Sequence, residues 1–381
     1  MTLPHHENQR IDLLDQIRGV ALFAIFLVNI PGLTTVADAD PFTINSTLEA
    51  TLAIGLQDSA RPLFAFMFGI SLVLIYDRLN SKSLNPYPTL IRRFGILFII
   101  GAFHGYFVWA GDILLLYASA GFVLLLSLKL SKKWFISLGI IFWLGYSVGL
   151  DLLNFYTSLN LPPDEWLKYF LGSKDYPTGT EYLLIEFSSM IDHLGYFFFG
   201  MYAYRSGVFS REWRERQQKW TAGIGVLLLG LLGKTGSYFE VDSFWFHHLD
   251  DFYSFLVTIG LTLCLLLLGT SRQKISSLLL PFSAVGKLTF THYLMQSLIL
   301  VSLFQGSGRT IFIDMGIWKS PSYVFAMSIG LLVFGFQMFI SPLWLKAFYY
   351  GPFEWIWRMG THGKWVPLIR RRPLHHKDTH R

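Results

Sequence analysis

Ten long apolar runs decide what this chain can fold into. They lie near 17–36, 54–76, 94–110, 112–129, 133–154, 181–204, 219–238, 250–269, 284–305 and 322–345. A helix needs about 20 mostly apolar residues to cross the hydrocarbon of a bilayer, and each run approaches that length. The runs are continuous, without the period-two alternation of a membrane barrel. Inside lipid every backbone amide and carbonyl must find its partner within the segment, which leaves helices. The expected fold class is therefore all-α: a polytopic integral membrane protein with about ten transmembrane helices. Residues 1–350 are read as a single transmembrane helical domain. Residues 351–381 are read as an interfacial tail, where Trp355, Trp357 and Trp365 alternate with Arg358, Lys364 and Arg370 in a pattern suited to anionic lipid.

Composition closes the other classes. Of 381 residues, 52% are hydrophobic and only 15% charged, against about 25% charged in a soluble domain. A soluble protein cannot hide that much apolar surface, and a disordered one does not contain it. The single cysteine, Cys264, excludes a disulfide scaffold. The net charge of +6 does not indicate a nucleic-acid partner, because the cations lie in short clusters between apolar runs.

Those clusters predict orientation. Of 31 Lys and Arg residues, 25 fall at the N-terminal end, the C-terminal end and the loops after the second, fourth, sixth and eighth runs. Only 5 fall in the intervening loops, and Arg61 lies inside a run. Such alternation places both termini in the cytoplasm by the positive-inside rule. Ala37-Asp38-Ala39 has the form of a signal-peptide cleavage site, but Glu7, Asp12 and Asp15 precede the first run, which argues for a retained span. Ser46 to Glu49 has capping-box spacing, so the second helix is expected to begin outside the hydrocarbon.

Charged groups at bilayer depth cost roughly 2.5–3.5 kcal/mol each on insertion scales, so they mark function by default. Asp58 and Arg61, spaced i, i+3, are expected to pair on one face of the second span, with a kink at Pro62. His104 lies in the outer half of the third span. The tight turn Trp109-Ala110-Gly111-Asp112 makes Asp112 the natural N-cap of the fourth helix. His104, Asp112, Arg61 and Asp58 converge at one depth, and in a dry site they supply a base, an orienting acid and charge stabilisation. A second group comprises Glu186, Asp192 and His193 in the sixth span and His292 and Gln296, spaced i, i+4, in the ninth. Asn29 lies high in the first span and Arg18 at its foot. Phe66-Met67-Phe68-Gly69 and Phe198-Phe199-Gly200 hint at an internal repeat. No P-loop, dinucleotide fingerprint, nucleophile elbow or metal-spaced cluster is present, and no metal is expected.

The stretch Arg10-Ile11-Asp12-Leu13-Leu14-Asp15-Gln16-Ile17-Arg18-Gly19, followed by Phe26-Leu27-Val28-Asn29, resembles the YeiB-like family of multi-pass bacterial membrane proteins. Arg61-Pro62-Leu63-Phe64 through Gly69 agrees, as do Arg92-Arg93 through His104 to Asp112 and Tyr117, and Gly286-Lys287-Leu288-Thr289 with Tyr293, Gln296 and Ser297. The family is in turn distantly similar to transmembrane acyltransferases of the heparan N-acetyltransferase and bacterial O-acyltransferase types. That resemblance implies a bacterial cytoplasmic membrane location, an acyl-CoA donor approached from the cytoplasm, and an extracytoplasmic hydroxyl or amine acceptor on a sugar, lipid or envelope component. Arg18 matches an arginine of the bacterial enzymes, whereas Asn29 stands where they carry a histidine. On this reading His104 is the base, Asp112 fixes its tautomer, Arg61 held by Asp58 stabilises developing charge, and Arg18 attracts donor phosphates. Asn29, His292, Gln296, Glu186, Asp192 and His193 are candidate substrate contacts. The alternative is a transporter or lipid-handling protein without catalytic chemistry, in which Glu186, Asp192 and His193 carry protons or substrate. Membrane lipids are expected partners, and homo-oligomerisation stays open.

Overall fold

The computed structural model describes residues 5–36, 39–157, 180–208, 218–241, 245–246, 249–270, 274–317 and 321–370. Among these the architecture is all-α. In chain order the helices are α1 (His5–Thr34), α2 (Ile44–Gly55), α3 (Ala60–Asn80), α4 (Pro86–Phe107), α5 (Leu114–Leu125), α6 (Lys132–Thr157), α7 (Thr180–Arg205), α8 (Gln218–Tyr238), α9 (Asp250–Thr270), α10 (Leu280–Lys287), α11 (Thr289–Phe304), α12 (Gly306–Asp314), α13 (Tyr323–Ala347) and α14 (Pro352–His362). Each apolar run carries a helix. Five stretches are long and apolar enough to cross a membrane: Asp12–Thr34, Ile44–Asn80, Pro86–Phe107, Asp250–Gly269 and Tyr323–Ala347. α5 and α11 are apolar but shorter. The Ala37-Asp38 step and the tail beyond 370 lie outside the described residues.

Two runs are broken where continuous helices were expected. The second splits at residues 56–59 into α2 and α3, with Asp58 in the left-handed region at φ 60°. Pro62 therefore does not kink a helix. It sits in the first turn of α3, where its missing N–H has no intrahelical partner to lose. The N-terminus of α2 is closed by a capping box formed by Thr43 and Ser46, three residues ahead of the cap read from the sequence. The ninth run breaks at Leu288 between α10 and α11. That break exposes amides at the start of α11, and Glu354 from α14 accepts from two of them, Phe290 N at 2.7 Å and Thr291 N at 3.0 Å.

α1 is the hub. It packs against α3, α9, α10, α11 and α13, and buries Ile17, Leu22, Ile25, Phe26 and Ile30 completely or nearly so. Glycines set the closest crossings. A Cβ at Gly69 of α3 would fall on the Phe197 carbonyl oxygen, and one at Gly200 of α7 on that of Phe66. Small residues permit such backbone approach between membrane helices. Gly19 and Gly286 do the same for α1 and α10. Outward faces are apolar: Phe98, Ile99 and Phe103 on α4 and Leu332, Phe336 and Phe339 on α13 are exposed.

Candidate functional site

The third run ends in α4, and the chain turns at 108–113 before α5. Trp109 lies under this turn, packed against Gly32 and Gly111. The turn brings Asp112 back over the last turn of α4, and α11 lies across both. Four polar side chains meet there, all essentially shielded from solvent. His104 is 3% exposed, Asp112 1% and Ser297 2%, and Tyr293 is buried beside them.

The geometry is specific. His104 Nε2 and Ser297 Oγ are 2.6 Å apart. On the other side of the ring, His104 Nδ1 faces Asp112 Oδ1 at 3.1 Å, off the line of a straight hydrogen bond. Tyr293 donates to the same Asp112 oxygen at 2.9 Å, and its own hydroxyl accepts from Ile113 N at 3.1 Å. Asp112 Oδ2 accepts from Leu114 N at 3.1 Å. Asp112 is not the N-cap expected from the sequence, because α5 starts one residue later and Ile113 takes that position; one Asp112 oxygen accepts from the first amide of α5 and the other faces the imidazole.

Two further charges border this cluster. Arg61, in the first turn of α3, is half-buried, and its carbonyl accepts from Tyr117 at 2.8 Å. Its guanidinium has no carboxylate partner among the described residues, but it lies within electrostatic reach of Tyr293 and Glu186. Glu186 of α7 is buried, within reach of Asp112 as well, and its Oε2 has no hydrogen-bond partner. It therefore groups with His104 and not with Asp192 and His193. An arginine and a glutamate with unused polar atoms flank the His–Asp–Tyr–Ser set.

Other expected residues are placed differently. Asp58 does not hold Arg61. The break between α2 and α3 removes the i, i+3 helical register, and Asp58 instead pairs with Lys234 of α8 at 3.6 Å, in an outer cleft also lined by Ser237, Glu240 and Asp250. Asp192 is 45% exposed and pairs with its neighbour His193 at 3.2 Å, while His193 Nδ1 also contacts the Ser189 carbonyl at 2.9 Å. His292 bonds Ser341 at 2.7 Å and Gln296 bonds Gln337 at 2.8 Å, tying α11 to α13. Asn29 is buried in α1, with no hydrogen bond to either network among the described residues. Arg18 pairs with Asp15 at 2.7 Å and donates to Ser71 at 3.2 Å. No group of His, Cys, Asp and Glu among the described residues forms a metal cage. Tyr293 and Ser297 were not singled out as site residues. The signal that points to them is the i, i+4 spacing that sets both on the α11 face toward His104.

Comparisons with known proteins agree with the sequence resemblance. Residues 203–364 match the family described as "Protein of unknown function (DUF418)". The chain is 28% identical over 417 residues to uncharacterized protein YxaH of Bacillus subtilis, covering 97% of this chain and 98% of that protein. It is 26% identical over 403 residues to uncharacterized protein YeiB of Escherichia coli, covering 94% and 98%. The chain is thus similar to YeiB along nearly its whole length. A protein from the amylase 3′ region of Bacillus acidopullulyticus is 27% identical over 374 residues. These names state no activity, so the chemistry has to be argued from the side chains.

Proposed function

We propose that this protein is a bacterial membrane acyltransferase whose working centre is the Ser297–His104–Asp112 line. One observation carries the reading: His104 contacts a hydroxyl through one ring nitrogen and faces a carboxylate through the other. With its proton on Nδ1, toward Asp112, His104 leaves Nε2 as the base for Ser297. Ser297 Oγ bonds to the carbonyl carbon of an acyl thioester while its proton passes to Nε2. The C–S bond breaks, and the departing sulfur takes that proton. An acceptor hydroxyl or amine then gives its proton to Nε2 and displaces Ser297 from the acyl carbon, and Ser297 recovers the proton. Arg61 stands within electrostatic reach of the cluster to offset negative charge developing on the carbonyl oxygen. The lopsided distribution of cations supports ten spans with both termini cytoplasmic, which sets this centre toward the external surface.

The test uses purified full-length protein and acyl-labelled acyl-CoA. The expected result is thioester consumption, with label retained on the protein when acceptor is withheld. His104→Ala and Ser297→Ala should each lower turnover at least 100-fold, the low end for general acid–base catalysis. Absence of both turnover and label in the wild type overturns the reading.

The unpartnered Glu186 oxygen favours a second reading, proton-coupled transport. On that reading pH-gradient-driven flux in proteoliposomes is lost in Glu186→Gln and survives in Ser297→Ala.

A further inference from the structure

At the opposite, cation-rich end of the molecule, positive charges gather without negative ones. Elsewhere on this end the protein neutralises its cations locally: Arg18 has Asp15 at 2.7 Å, Lys287 has Asp12 at 3.2 Å and Arg205 has Asp77 at 2.9 Å. Around Trp357 it does not. Arg358 of α14 and Arg18 of α1 each lie within electrostatic reach of Arg93 of α4. Arg92 and Lys364 join Arg93 and Arg358 around His362. Among the described residues, Arg92, Arg93, Arg358 and Lys364 have no carboxylate partner. Glu354, one helical turn from Arg358, is committed elsewhere, accepting from Phe290 and Thr291 at the start of α11.

The arrangement is built, not incidental. The Arg93 guanidinium carbon lies over the Trp357 ring, 3.7 Å from its centre, and Trp357 Nε1 donates to the Arg93 carbonyl at 2.8 Å. Stacking of this kind contributes about 0.5–2 kcal/mol. It occupies the face of the guanidinium and leaves its in-plane N–H donors, the edge that matches phosphate oxygens, unused. Arg92 closes on the same helix end, since a Cβ at Gly363 would approach its Nη1 to 2.7 Å. Arg358 is stacked over Tyr350 at 4.4 Å. Three elements far apart in sequence hold like charges together, against their repulsion and, for Arg93, against partial burial. An anion supplied from outside removes both penalties.

We propose that Arg93, Arg358, Arg92 and Lys364 form a binding site for the phosphate of an amphiphile at the membrane interface, with Trp357 as its rigid floor. The aromatic side chains of α14 sit at the level of headgroups when the helix lies in the interface. A phosphomonoester or pyrophosphate satisfies the site whether it belongs to a lipid headgroup or to the nucleotide part of an acyl thioester. The site stands apart from the His104 centre and does not depend on its chemistry.

The experiment uses the full-length protein in phosphatidylcholine nanodiscs. One arm measures equilibrium binding of labelled coenzyme A without an acyl chain. The other measures, by native mass spectrometry, retention of phosphatidic acid over phosphatidylcholine. Arg93→Gln and Arg358→Gln are each expected to weaken binding about tenfold, the loss of roughly one charge-assisted hydrogen bond. Arg93→Lys should recover part of it, and Lys82→Gln, on an exposed turn, should leave it unchanged. Weakening in the coenzyme A arm assigns the site to the nucleotide, and weakening only in the lipid arm assigns it to a headgroup. Arg358 is exposed, so its replacement serves even if Arg93→Gln fails to fold. Wild-type binding by both variants in both arms overturns the proposal. Because neither arm requires turnover, an inactive His104 centre would leave this result standing.

Discussion

At the scale of single residues, this protein keeps ionisable groups where lipid would expel them, some with full sets of partners and some, such as Glu186, without. Asp112 shows the economy: Leu114 N and Tyr293 occupy its two oxygens, so its charge meets donors before it meets His104. His362, at the end of α14 and beyond the membrane-crossing helices, shows the reverse situation. Partial desolvation, then the charges of Arg358, Lys364, Arg93 and Arg92, hold its imidazole below the ordinary value. Those four, from α4 and from α14 and the residues after it, are the charged groups that face it. The sign follows by linkage. Between the depressed folded midpoint and the unfolded one near 6.5, the unfolded chain binds a proton that the folded protein refuses, so stability falls as pH drops through that window. Imidazole-labelled NMR, assigned by comparison with His362→Asn, should show the His362 midpoint below that of the unfolded chain. Arg358→Gln should move it upward. A midpoint that ignores Arg358 would mean the cations do not act on this ring.

At the scale of elements, helix breaks and glycines matter more than helix length. The Phe66–Gly69 and Phe198–Gly200 sequences, which read as a hint of repetition, turn out to face each other: each glycine lies against the other helix's carbonyl. Gly200→Ala should therefore destabilise by about 1–3 kcal/mol, the usual range for overpacking. Gly145→Ala, on α6, where a new Cβ meets nothing within 4 Å, should not. Melting of the two purified variants in detergent reads the difference, and equal melting temperatures would remove the crossing from the account. The helical content of the ten runs and the juxtaposition of His104 with Asp112 were legible in the sequence, because a run of apolar residues and a tight turn are local signals. Asp58 was misread because i, i+3 spacing matters only within one continuous helix, and the chain reverses φ at that residue. Tyr293 and Ser297 did not stand out because tyrosine and serine are common in apolar helices; that they face His104 depends on how α11, starting after the break at Leu288, packs against the turn before α5. Arg93 gave no sign of a site, since its relation to Trp357 spans 264 residues of chain.

At the scale of the whole molecule, the two polar centres lie at opposite ends of one helical bundle. Between them runs the apolar stretch Asp12–Thr34 of α1, with Arg18 toward one end and Gly32, packed on Trp109 of the turn after His104, near the other. This separation has meaning only if the ends face different compartments, which makes topology the decisive global test. Among the described residues, five stretches are long and apolar enough to cross alone. α5, with 12 residues, and α11, with 16, are too short at 1.5 Å per residue to span about 30 Å of hydrocarbon by themselves. They need neighbours: α5 packs on α4 and α7, and α11 on α1, α12, α13 and α14. Ser297 on the enclosed α11, Asp112 in the turn before α5 and His104 on the buried face of α4 all touch protein and not lipid, which is why these polar groups are tolerated there. Single cysteines introduced into the Cys264→Ala protein at the exposed Ser81 and Ser131 should be labelled by an impermeant maleimide only after the cells are opened. Cysteines at Thr43 and Asp314 should be labelled in intact cells. Labelling of both sets from outside would put the His104 centre and the arginine cluster in one compartment, and the cytoplasmic assignment of the cationic end would fall.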